Sequence, residues 1–204
     1  MIENGFFKKS DRQETMIMGL PINPGWWSRR FEYPWALEYA EPDQVVADMG
    51  CGYTPRPFKD ALAQVCKKVY AVDGDERVLS QQSDNGLVFV VADFTQPIQD
   101  IPDGSLDRVF CVSVLEDVGD KVSLALTEFE RLLKPGGLCV LTFDVHYNEK
   151  KPLGQYPGVE LYNFAESVFE SGLGWDDKID FDKRNVVNNK EFNLCVFHCI
   201  LRKP

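Results

Sequence analysis

From about Gln44 to Val145, short β-branched or apolar runs alternate with amphipathic stretches, the pattern of βα units wound around a buried, largely parallel sheet. The expected strands are 44–49 (QVVADM), 68–73 (KVYAVD), 87–93 (LVFVVAD), 107–114 (DRVFCVSV) and 138–145 (LCVLTFDV). Between them PFKDALAQVCK and DERVLSQQSD read as helices, each expected as a right-handed crossover. A further helix over 122–133 sets Leu126, Phe129, Leu132 and Leu133 on one face before Lys134-Pro135-Gly136-Gly137 stops it.

Past the fifth strand, 146–161 reads as a polar, proline-marked loop. Asn163, with Glu166 three residues on, is expected to cap a helix that Gly172 ends. Two late strands, IDFDKRNVV at 179–187 and FNLCVFHCILR at 192–202, have no helix between them and should pair antiparallel. The pattern predicts an α/β, Rossmann-like seven-stranded sheet, mostly parallel, with an antiparallel C-terminal hairpin strand and helices on both faces. Ahead of it, residues 1–43 are aromatic and proline-punctuated and read as an N-terminal lid.

The 204 residues suit one domain of ordinary size, and 44% apolar with 26% charged residues excludes disordered and collagen-like classes. A net charge of −10 sets the average field against a phosphate-binding surface, so no nucleic-acid partner is expected. No apolar run nears the roughly 20 residues of a membrane span, and the start lacks a basic segment followed by an apolar one. A cytoplasmic protein with no membrane partner is therefore expected. The six cysteines, mostly inside apolar runs, read as reduced and buried, and without a C-x-x-C pair no metal site is expected.

The chemistry concentrates in VVADMGCGYTP at 45–55, where a strand runs into Asp48-x-Gly50-x-Gly52 and then into a proline that can open a helix. Gly50 permits a tight turn, and Gly52 removes a side chain that would block a nucleotide-like ligand. Asp48 can accept hydrogen bonds from an ammonium or from loop amides. The second strand ends in Asp73, where an acid can take both ribose hydroxyls; the third ends in Asp93-Phe94, suited to an exocyclic amine and a stacking face. Either aspartate alone also fits an ordinary turn or helix cap, but three acidic strand ends in register point to a ligand.

Residues 44–145 resemble the class I S-adenosylmethionine-dependent methyltransferases, in particular the small type-11-like branch. The resemblance implies S-adenosylmethionine as cofactor, with Asp48, Met49, Gly50, Cys51 and Gly52 beneath its methionine part. It also implies Asp73 and Gly74 at the ribose, Asp93 and Phe94 at the adenine, and Ser113 and Val114 alongside. The third glycine of a dinucleotide fingerprint is absent, and many relatives read V-L-E-H-V where this chain has Val114-Leu115-Glu116-Asp117-Val118. On this reading 1–43 cover the pocket, 44–145 form the cofactor half, and 146–204 contribute an acceptor-side loop, a helix and the final hairpin.

Methyl transfer from a sulfonium is an in-line displacement in which a dedicated base is optional. Candidates beyond the carboxyl ends of strands four and five are Glu116, Asp117, Asp144, His146 and Tyr147, with His146 ranked above His198. Arg29, Tyr33, His146 and Tyr147 are the candidate acceptor contacts. The expected partner is a small-molecule acceptor, carbohydrate or other metabolite, met by a monomer or homodimer. Two alternatives stay open: a cofactor-binding or regulatory domain without catalysis, and an NAD-dependent oxidoreductase or epimerase.

Overall fold

A computed structural model describes residues 4–54, 56–81, 86–148 and 158–204. The N-terminal segment supplies β1 (Gly5–Phe6), a small hairpin β2 (Met16–Ile17) and β3 (Leu20–Pro21), and α1 (Arg29–Leu37). The alternating half follows as β4 (Val45–Met49), α2 (Pro57–Val65), β5 (Lys68–Asp73), β6 (Leu87–Val91), β7 (Leu106–Val112), α3 (Val122–Leu132) and β8 (Leu133–His146). The chain closes with α4 (Leu161–Ser171), β9 (Gly174–Trp175), β10 (Asn188–Asn189) and β11 (Leu194–Arg202).

Along the sheet the order is β1-β11-β8-β7-β4-β5-β6, with β9 and β10 also pairing β11. Strands β4 to β8 run parallel and β11 runs antiparallel to β8. The order reverses at β4, which lies between β5 and β7, so a crevice opens at the carboxyl ends there.

Helices cover both faces. Leu126, Phe129 and Leu132 of α3, with Phe164 of α4, pack against Cys111, Leu141 and Phe143. On the other face Tyr33 of α1 and Phe58 and Leu62 of α2 pack against Phe110, Val140 and Ile200. Pro34 inside α1 has no N–H to give Arg30, and the amide of Glu14 donates to that carbonyl instead at 2.9 Å. The interior proline is thus accommodated, and the N-terminal segment is tied to the helix.

Four expected elements differ. Of the second crossover, expected as a helix over 75–84, the described residues form a 3₁₀ turn at Glu76–Ser80, where the Asp75 side chain accepts from the Arg77 amide and Val78 alone is buried, and residues 82–84 lie outside the described residues. Strand β7 stops at Val112, with Ser113 at φ +46°, and β8 begins at Leu133, so the Pro-Gly-Gly segment falls inside a strand. Glu160 stands at the start of α4, which places Asn163 within the helix, while Gly172 ends it at φ +82°. Residues 179–187 form no strand. Asp180 and Asp182 accept from the amides two residues on, coiling the segment, which meets the N-terminus through isolated bridges at Ile179 and Val186 and through backbone hydrogen bonds to Asn4, Phe7 and Lys9. The remaining strand of the seven-stranded path is β1, and the late hairpin shrinks to Asn188 and Asn189 opposite Cys195 and Leu194.

Candidate functional site

Beyond β4 the chain turns through Gly50 (φ +76°) and Gly52 (φ +71°), and the Gly50 and Cys51 amides both donate to the Val72 carbonyl. A side chain at Gly50 has no room: its Cβ would lie 2.4 Å from a Val114 methyl. The loop therefore closes against the strand on the far side of the sheet reversal, which requires glycine twice over.

The turn borders a cavity of about 530 Å³ lined by Gly50, Gly52, Asp73, Gly74, Asp93, Phe94 and Val114, seven of the residues expected from the sequence. Asp73 accepts from the Gly52 amide at 2.8 Å through Oδ2 and from the Asp75 amide at 3.0 Å through Oδ1, leaving each oxygen a further lone pair. Asp93 spends Oδ1 on the amide and hydroxyl of Thr95, which hold its carboxyl below the ordinary range. Phe94 reaches the cavity with only 7% of its surface exposed, and its ring packs 5.6 Å from that of Phe129.

Four expected residues stand apart from this lining. Met49 is buried in the core, and Cys51 packs beside Ala71 and Val78 with its thiol pushed up by burial. Ser113 is buried against Glu32. Asp48 lies behind the glycine loop, in a cavity of about 10 Å³ shared with Tyr33, Arg56 and Phe58, room for about one water. Burial pushes its carboxyl up to about 7 against the pull of Lys59 and Arg56. Tyr33 stacks on Phe58, with ring centroids 5.1 Å apart.

Besides Ala92, which adjoins Asp93, sequence reasoning missed Tyr53, Arg56, Asp75 and Val118, which line the larger cavity. Arg56 runs beneath the loop, where a Gly52 Cβ would touch its side chain at 2.6 Å, and it donates to the Gly50 carbonyl at 3.3 Å. The Arg77 guanidinium lies 3.5 Å over the Tyr53 ring. No local pattern marks these four.

A second polar cluster gathers beyond β7 and β8. Glu32 of α1, fully buried, accepts from the Ser113 hydroxyl, from the Thr142 hydroxyl at 2.6 Å and from Arg29 at 2.7 Å. Arg29 also donates to the Ser113 carbonyl at 3.2 Å. Burial alone would raise Glu32, but Arg29 and the two hydroxyls outweigh it and hold the carboxyl below its ordinary value. The Arg29–Glu32 spacing of three residues on one helix was the available signal for this pair.

Glu116 and Asp144 go the other way. Burial, then the neighbouring Asp144, lifts Glu116 well above the carboxylate range; burial, then Glu32, lifts Asp144 to about 7. Oε2 of Glu116, Oδ1 of Asp144 and both ring nitrogens of His146 are buried without a hydrogen-bond partner among the described residues. His146 lies 3.8 Å from a Glu160 oxygen, and Lys183 donates to its carbonyl. Asp117 lines the larger cavity and is raised by burial, and Tyr147 is 37% exposed. Of the expected loop 146–161, residues 149–157 lie outside the described residues, as does Pro55 of the glycine motif. No described helix is long and apolar enough to cross a membrane, and all six thiols are buried and unpaired.

Residues 47–141 match the methyltransferase domain family. A probable pectin methyltransferase of Arabidopsis thaliana is 26% identical over 147 residues, which are 70% of this chain and 21% of that protein. The chain thus spans about a fifth of the length of that curated relative. Among solved structures, the [4+2]-cyclase SpnF superposes with a TM-score of 0.71 at 14% identity, over 100% of this chain and 88% of that one. The N-methyltransferase NodS of Bradyrhizobium japonicum, in complex with S-adenosyl-L-homocysteine, superposes with a TM-score of 0.62 at 18% identity, over 89% of each chain. At such identities the solved structures establish the fold. The family match over residues 47–141 and the fold shared with these structures both point to the class I S-adenosylmethionine-dependent methyltransferases.

Proposed function

We propose that the chain binds S-adenosylmethionine in the cavity between the glycine loop and the ends of β5 and β6, and transfers its methyl group to a small carbohydrate or other metabolite. The carrying observation is the cavity itself. Its roughly 530 Å³ suits a nucleoside-sized ligand, and its walls are glycine backbone and carboxylates with spare lone pairs. Asp73 would take the ribose hydroxyls through the lone pairs its two amides leave free, and Oδ2 of Asp93 would accept the adenine amine. Gly50, Gly52, Gly74 and Val114 present backbone and small side chains to the ligand, so it can approach closely. Asp75 and Asp117 add negative charge suited to a cationic sulfonium and ammonium, where a pyrophosphate would be repelled. Bound there, the cofactor supplies an electrophilic methyl carbon. The chain's part is to align an acceptor from the side of Arg29, Glu116 and Asp144.

Isothermal titration with S-adenosylmethionine, S-adenosylhomocysteine and NAD, on protein checked for co-purified ligand, tests this. Binding of the first two without NAD supports the reading, and binding of NAD alone overturns it. A second reading draws on the SpnF superposition, since a cyclase shares the fold: the pocket is kept and no methyl is transferred. Formation of S-adenosylhomocysteine in the presence of an acceptor separates the two.

A further inference from the structure

Among the described residues, the cluster beyond β7 and β8 has more carboxylates than free cations. The Arg29 guanidinium is already committed to Glu32 and the Ser113 carbonyl, and the Lys183 ammonium donates to the His146 carbonyl. Glu116 and Asp144 nevertheless each bury a carboxylate oxygen with no hydrogen-bond donor, and Glu116 is only 8% exposed. Thr142, Asp144 and His146 alternate along β8 and so share one side of that strand, which is the side that meets Glu32. His146, 7% exposed, brings two more unpartnered atoms to the end of the same row. Buried polar groups are ordinarily paired, so the orphaned oxygens of Glu116 and Asp144, which act on one another next to Asp117 of the larger cavity, mark a place where a ligand completes the hydrogen bonding.

The missing partner must donate hydrogen bonds and carry positive charge. A carboxylate or phosphate acceptor would meet Glu32, Glu116 and Asp144 against one already paired arginine. A neutral polyol would satisfy the lone pairs without countering the burial and mutual repulsion that raise both carboxyls. We infer that the methyl acceptor is a small molecule carrying a basic amine, whose ammonium is received between Glu116 and Asp144, with His146 beside it. This rests on the methyltransferase reading above and narrows its acceptor. The pair also has a chemical use. When an ammonium N–H bond breaks toward one of these carboxylates, the proton goes to the carboxylate oxygen and the electron pair stays on nitrogen, leaving a neutral nucleophile. The elevated proton affinity of Glu116 and Asp144 is what a carboxylate needs to accept a proton from an amine near neutral pH.

The test uses protein loaded with S-adenosylhomocysteine, so that cofactor binding is scored first and separately. Glucosamine, glucose and glucuronate, which vary one skeleton, are then titrated with ethylamine as a minimal probe. Expected are saturable binding of the two amines in mutual competition, weaker binding of glucose and none of glucuronate. Glu116→Gln and Asp144→Asn should each weaken amine binding by about tenfold or more, the loss of one charge-assisted contact. Retained S-adenosylhomocysteine affinity shows that either variant is folded. No saturable amine binding, glucuronate binding as tight as glucosamine, or amine affinity unchanged in both variants overturns the inference. Failure of the cofactor itself to bind removes the methyltransferase reading beneath it instead.

Discussion

Asp48→Asn should stabilise the protein at neutral pH. The carboxyl is 5% exposed at the end of β4, and burial outweighs Lys59 and Arg56 in setting its proton affinity, raising it from 3.8 to about 7. Below pH 3.8 both folded and unfolded chains carry the proton and the contribution to stability is complete. Between 3.8 and about 7 the unfolded chain releases the proton while the folded one keeps it, so stability falls as pH rises; above about 7 the contribution is gone. At ~1.4 kcal/mol for each tenfold change in proton affinity, a rise from 3.8 to about 7 amounts to as much as about 4 kcal/mol. Asparagine does not ionise and escapes this loss.

The assay is urea denaturation of both proteins at intervals from pH 4 to 9, read as the difference in unfolding free energy. The difference matters because Asp144 and Glu116 titrate with the same sign and would mask Asp48 in either curve alone. The variant should gain on the wild type steadily up to about pH 7 and hold the gain above it. Parallel curves, or a variant less stable at pH 8, would refute the burial argument and mean that Lys59 and Arg56 govern the site.

Three further substitutions probe separate links. Gly50→Ala forces a side chain into a left-handed turn and against Val114, so it should lower stability by roughly 1–3 kcal/mol and weaken S-adenosylhomocysteine binding; a chain unchanged in melting and titration would contradict the packing described. Asp73→Ala leaves the Gly52 and Asp75 amides without their acceptor and should weaken the cofactor by roughly 1.5–3 kcal/mol in titration calorimetry, whereas unaltered affinity would remove Asp73 from the site. Glu32→Ala strands Arg29 as a buried charge and should cost roughly 3–5 kcal/mol in denaturant unfolding; a loss below ~1 kcal/mol would mean that the ion pair contributes little.

The sequence made the periodic part of the molecule legible. Strands β4 to β8, helices α2 and α3, and the glycine turn follow from short-range patterns, because a buried strand or an amphipathic helix states its own period in the residues that form it. The parts that were not legible depend on distant partners. Strand β1 is two residues long and exists because β11 offers it an edge, with Gly5 opposite His198. Ile179–Val187 has a strand's composition at its ends, but the aspartates between them turn the backbone onto their own side chains. The run 75–84 has helical spacing, yet Asp75, accepting from the Arg77 amide, folds its described part into a tighter turn at Glu76–Ser80. In the site, the acidic strand ends were visible, whereas Arg56 reaches the cavity only because the loop ahead of it folds back over its side chain.

Glu32 shows why the acceptor side was harder to read than the cofactor side. The proposed cofactor contacts come from loops that directly follow strands, so their sequence neighbours announce them. Glu32 meets Ser113 and Thr142 across 81 and 110 residues, and nothing around Phe31 or Tyr33 distinguishes it from a solvated helix glutamate. Its effect is nonetheless central: it engages Arg29, the cation that acts on Glu116 and Asp144 among the described residues. A fold shared by a cyclase and by methyltransferases does not select a reaction, so the selection lies in such side chains. Here the N-terminal helix brings Glu32 and Arg29 against Ser113 and Thr142. It sets the charge balance that an acceptor must complete, and replacing Glu32 with a neutral residue should therefore free Arg29 and shift the site's preference from amines toward carboxylates.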